Sequence, residues 1–180
     1  MEVDAALYSR ALEAIDPLVA KKIFVDLGIL PGVLCHSWFT SLFVGTLPPD
    51  FVSRVWDIFL YEGTISRQDY LLFSDAYTTP TGIPFLLRVA LSLTIMCRKF
   101  ILSTTKNRES TVLATLSRPP FQWLPPTPDA FLTLAFSVKL KDDDIRKQRI
   151  KMGEQVKRQT QAQQAVSSVT LSGISLPSRF

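Results

Sequence analysis

The sequence predicts an all-α domain, and three observations predict it. Apolar residues recur in pairs four apart through 38–47 and again through 51–60, the spacing of one helix face. Capping residues followed by proline stand where helices should open, at Asp16-Pro17 and Thr127-Pro128. No stretch alternates apolar and polar residues convincingly enough for a half-buried strand. The 180 residues, 47% apolar and 20% charged, have a globular composition and suffice for one packed core with some chain to spare.

The elements follow in order. Asp16 and Pro17 open a helix over roughly 17–27, which Gly28 should stop. In VLCHSWFTSLFVGTLP the residues Trp38, Phe39, Leu42, Phe43, Thr46 and Leu47 form one wide apolar stripe. Pro48 and Pro49 break the chain and start the next helix, which carries RVWDIFLYEG. There Phe51, Val52, Val55, Trp56, Phe59 and Leu60 form the inward face, and Ser53, Arg54, Asp57 and Tyr61 lie on or beside the opposite one. Arg54 and Asp57, three apart, can pair for about 0.2–0.5 kcal/mol. Glu62 and Gly63 then supply a helix stop. Residues 64–84 hold at most a short helix near 68–77 and a Thr/Pro/Gly breaker.

A long helix over 84–102 comes next. It looks apolar enough to span a bilayer. Arg88, Arg98 and Lys99 leave an uncharged run from Val89 to Cys97 only, too short to cross, so it reads as a core helix. A short helix near 110–117, a proline-rich loop and a helix capped by Thr127 follow. The segment from Asp142 onward reads as a charged helix, acids first and bases later, as its dipole favours. Ile145, Met152 and Val156 give it a thin apolar seam. Residues 167–180 are expected to be disordered.

Charge is unevenly spread. The net charge is +4, yet residues 139–180 hold nine Lys/Arg against four Asp/Glu, and residues 1–138 are almost neutral. The basic character belongs to the tail. Such a tail can meet an anionic surface, although it is more commonly a solvated helix. Only Phe180 is aromatic among those bases, so a stacking platform for nucleic acid is not expected. Two cysteines among apolar neighbours, Cys35 and Cys97, suit a reducing compartment. The start MEVDAALYSR has no signal-peptide core. The expected location is cytoplasmic.

No catalytic constellation emerges. His36 is the single histidine, and its neighbour Cys35 points about 100° away on a helix, so the two do not form a nucleophilic pair. A zinc site needs more ligands than this. Asp142, Asp143 and Asp144 read as a helix-start acid cluster and not a cation site. Phosphate-loop, dinucleotide and nucleophile-elbow motifs are missing. Neither a cofactor nor a metal is expected.

The run WFTSLFVGTLPPDFVSRVWDIFLYEG resembles the second half of the TBC domain of Rab GTPase-activating proteins. FLLRVALSL, Phe85 to Leu93 with Arg88, is similar to the helix that follows in that family. AFSVKLKDDDIRKQRIK is similar to the domain's end. On that resemblance Trp38, Phe39, Arg54, Trp56, Asp57, Glu62, Gly63 and Arg88 are family-motif residues with structural roles. The organisation it implies is a partial, C-terminal TBC-like domain over 1–140 and a basic helical tail over 141–180. Residues 64–84 intervene where the family passes directly, read as an insertion or, as a rival, an unspliced intron.

The family is all-helical and accelerates GTP hydrolysis by Rab-type small GTPases. It supplies an arginine from an IxxDxxR motif to neutralise phosphoryl charge and a glutamine from a YxQ motif to orient water. No isoleucine here has Asp at +3 and Arg at +6, and no tyrosine has Gln at +2. None of the eleven arginines inherits the finger role. The implied partner is a Rab-type GTPase, with catalysis by this chain nil or small. Two other readings stand beside it: a non-catalytic helical interaction module, and a binder of anionic surfaces through the tail, peripheral on membranes.

Overall fold

The structure, a computed structural model, describes residues 2–70, 82–141, 144–155 and 158, the side chains of 62–70 aside. Helix α1 (Glu2–Ile15), which carries no opening cap or proline in its sequence, packs against the following helices of the domain's first half. Its Tyr8 is fully buried against Phe24 and Trp38. Thr94 spends its hydroxyl hydrogen on the Ala90 carbonyl at 2.9 Å, so Tyr8 donates to Thr94 Oγ1 at 2.6 Å. Burial drives the Tyr8 pKa far above its ordinary value, the Thr94 bond opposing only in part.

Helix α2 (Pro17–Lys21) opens as expected, with Asp16 Oδ1 accepting from the Val19 N–H at 3.2 Å. The chain then widens into a π-helical turn over Lys22–Asp26 and ends at Gly28, whose φ of +64° a side chain would resist. Asp16 also receives Arg98 Nε on its second oxygen at 2.6 Å, one carboxylate closing a helix end and a tertiary contact together.

Helix α3 (Pro31–Thr40) corrects the expectation of a continuous stripe to Leu47. The helix stops at Thr40, and Leu42 and Phe43 both take positive φ, 48° and 65°. Non-glycine residues pay about 1–2 kcal/mol each for that conformation. Phe43 offsets it by burying completely and stacking on Trp38 with centroids 6.3 Å apart. The four-residue repeat was genuine, but a turn rather than a helix delivers its second half to the core.

Helix α4 (Pro49–Tyr70) is a second correction. It runs unbroken through Glu62 and Gly63, so Gly63 is no stop. An interior glycine costs about 1 kcal/mol of helix propensity, and the helix continues past it from preceding turns anchored by the buried Phe51, Val52 and Val55. The first seven residues of the segment 64–84 therefore extend this helix; the short helix expected near 68–77 falls mostly outside the described residues.

The expected helix 84–102 is two helices, α5 (Ile83–Met96) and α6 (Arg98–Ser103), divided at Cys97. Helix α5 is apolar nearly all round and contacts α1, α3, α4, α6 and α8. That is the pattern of a central helix. Helix α7 (Glu109–Ser117) follows the polar stretch, and α8 (Pro128–Ser137) is capped by Thr127, whose hydroxyl accepts from the Ala130 N–H at 3.2 Å. A last helix, α9, spans 144–155. It is not merely solvated: Ile145 is buried, Met152 packs on the core, and Arg149 Nε reaches Asp4 Oδ1 at 2.7 Å. No described helix is long and apolar enough to cross a membrane. The fold among described residues is all-α.

Candidate functional site

Of the residues expected to carry the motif, Trp38 and Phe39 lie on α3, Arg54, Trp56, Asp57, Glu62 and Gly63 on α4, and Arg88 apart from them on α5. Trp38 is wholly buried, and its Nε1 donates to the Leu116 carbonyl at 3.2 Å, stitching α3 to the end of α7. Phe39 is half-buried and meets Phe43 edge-on at 6.2 Å. Trp56, expected in the core, is 38% exposed. Its Nε1 donates to the Leu42 carbonyl at 3.0 Å, so it bridges α4 to the left-handed turn. Leu60, expected on the same inward face, is also exposed.

Arg54 forms a clasp. Its Nε and one terminal nitrogen reach Asp129 Oδ1 at 3.1 and 2.8 Å, and the other terminal nitrogen reaches Asp57 Oδ2 at 3.2 Å. The i,i+3 pair with Asp57 was legible in the sequence. The bond to Asp129, 75 residues away in the first turn of α8, was not. Asp129 sits where a helix dipole favours an acid, and Arg54 fastens α4 to it. The Asp129 hydrogen bond first, then Asp57, raises the Arg54 pKa, which keeps it charged. Arg88 donates to the Leu140 carbonyl at 3.0 Å, holding the segment after α8 onto α5. Glu62 and Gly63 lie within α4, and their side-chain surroundings are outside the described residues.

What this arrangement can do chemically is limited. Both cysteines are buried, and burial pushes Cys35 up to about 12 and Cys97 up to about 11. Such thiols are poor nucleophiles at neutral pH. Among the described residues no group of three or more His, Cys, Asp or Glu could hold a metal ion. Two open clefts of about 340 and 330 Å³ flank α7, one lined by Ser103, Thr105 and Arg108, the other by Ser37, Thr46 and Arg118. Neither sets a base beside a nucleophile.

The described residues thus form an all-α domain in which Trp38 and Trp56 stitch helices to neighbouring segments and Arg54 clasps α4 to α8. The chain belongs to the Rab-GTPase-TBC domain family, whose family model matches residues 1–102. The match runs from α1 into α6 and leaves the later helices outside it. Curated proteins and solved structures gave no match.

Proposed function

We propose that this chain engages a Rab-type small GTPase and does not by itself accelerate GTP hydrolysis. Family membership points to the partner. The observation that carries the second half is the commitment of Arg54. It is the one arginine inside the RVWD motif, and its guanidinium is occupied by Asp57 and Asp129. An arginine finger has to present unpaired N–H groups to the transferring phosphoryl oxygens. Within these 180 residues neither IxxDxxR nor YxQ offers a substitute. The chain regulates membrane traffic as a TBC-family component, cytoplasmic and peripheral on endomembranes.

A partial TBC-like domain over 1–140 followed by the tail 141–180 is the organisation that goes with this reading, with 64–84 as an insertion. The alternative is a non-catalytic helical module that binds a GTPase or another protein. Pull-down with GTP-loaded Rabs, run beside a hydrolysis assay, separates the outcomes. Binding with unchanged hydrolysis supports the proposal. Faster hydrolysis refutes its second half, and failure to bind any Rab refutes its first.

A further inference from the structure

Outside the motif region, four exposed apolar residues fall within one short stretch of chain, whereas Phe121, Phe136 and Ile150 stand apart in sequence. Leu18, Val25, Leu30 and Val33 are 60%, 71%, 68% and 51% exposed. On α2 and the π turn, Val19, Ala20, Ile23 and Leu27 face the core, so Leu18, Lys21, Lys22 and Val25 make the outer face. The turn after it is held close. The Leu27 N–H donates to the Lys22 carbonyl and the Ile29 N–H to the Ile23 carbonyl, both at 3.0 Å. That bond brings Leu30, adjacent in sequence to Ile29, back beside the π turn, and Val33 follows with its N–H on the Leu30 carbonyl.

The charge around this patch is positive. Lys21 is exposed, Lys22 is half-exposed, and α6, which packs against α2 and the π turn, adds the exposed Lys99. Asp16 is consumed by the Val19 N–H and Arg98, so Asp26 is the acid left exposed on the segment. Exposed branched apolar side chains flanked by flexible cationic stems match the boundary of an anionic bilayer. The apolar groups enter the acyl edge while the ammonium groups stay at the headgroups. A soluble protein partner would favour aromatic anchors in a recess; this face has no exposed aromatic residue, and its neighbouring Arg98 is tied to Asp16.

We infer that the face formed by Leu18, Lys21, Lys22, Val25, Leu30 and Val33 is a docking surface for anionic phospholipid membranes. It is independent of the GTPase reading and separate from the basic tail. Co-sedimentation of the full chain with phosphatidylcholine vesicles, with and without phosphatidylserine, tests it. Binding is expected only to the anionic vesicles. It should weaken about fivefold for each cation removed in Lys21→Gln and Lys22→Gln, and at least about tenfold in a Val25→Ser/Leu30→Ser double variant. All these positions are exposed or half-exposed, and unchanged far-UV circular dichroism checks that the variants fold. Equal binding to neutral vesicles, or none to either kind, overturns the inference. So does loss of binding in Lys147→Glu/Lys151→Glu, on the tail helix, with none in the apolar double variant.

Discussion

The two motif tryptophans look alike in the sequence, and the structure predicts that they are worth very different amounts. Trp38 has no exposed surface. It meets Tyr8 edge-on at 5.6 Å, stacks on Phe43, and satisfies the Leu116 carbonyl. Trp38→Ala opens a cavity beneath three helices and strands a buried carbonyl. Truncating a buried Trp costs about 3–5 kcal/mol, against a total of about 5–15 for a domain. It also removes the stacking that offsets the positive φ at Phe43, so the upper end of that range is expected. Trp56 is 38% exposed and its main specific contact is one bond to the Leu42 carbonyl. Trp56→Ala should cost about 1–2 kcal/mol. Urea denaturation followed by far-UV circular dichroism measures both. A Trp38→Ala loss no larger than that of Trp56→Ala would refute the reasoning that burial, and not membership of the motif, sets each residue's weight.

Other predictions follow from particular contacts. A Cβ on Gly82 would run into the Phe59 ring and lie 3.0 Å from the Phe59 carbonyl, so Gly82→Val should destabilise by about 1–3 kcal/mol, read as a lowered urea midpoint. Arg149→Ala removes one partner of the buried Asp4 carboxylate; a loss of about 1–3 kcal/mol is expected, whereas a tail that contributes nothing would leave the midpoint unchanged. Arg54→Ala should lower stability slightly, less so at high salt because the clasp is solvent-screened; a salt-independent loss would count against it. The folded thiols of Cys35 and Cys97 hold their protons to about 12 and 11. The folded state thus binds more protons than the unfolded one above the ordinary value of 9.0, and their contribution, intact below it, should be lost as pH rises from there toward 11–12. Thiol alkylation at pH 8 should accordingly track global unfolding.

Much of the fold was legible because helix signals are local. Asp16, Thr127 and the prolines after them carry their caps within a few residues, and the structure honours both. Gly28 ends its helix because a positive φ is needed there. Gly63 misled because the same residue type is tolerated inside a helix when packing elsewhere holds it. The stripe through Leu47 misled because a spacing of four does not distinguish a helix from a helix followed by a compact turn when Phe43 must reach the core. Cys97 interrupts a run whose periodicity gives no warning. At the motif site, Arg54 with Asp57 was readable as an i,i+3 pair. Its partner Asp129, the Leu42 carbonyl that receives Trp56, and the Asp4–Arg149 bond join residues up to 145 apart, and no local pattern encodes such pairings.

A single-turnover hydrolysis assay with a panel of GTP-loaded Rab proteins, with binding of the same proteins measured alongside, decides whether this chain binds without catalysing. At least one Rab is expected to bind, with its hydrolysis rate unchanged at saturating chain. Acceleration that disappears on substituting one arginine would contradict this expectation, because that arginine would be a catalytic finger outside the motif that normally supplies one.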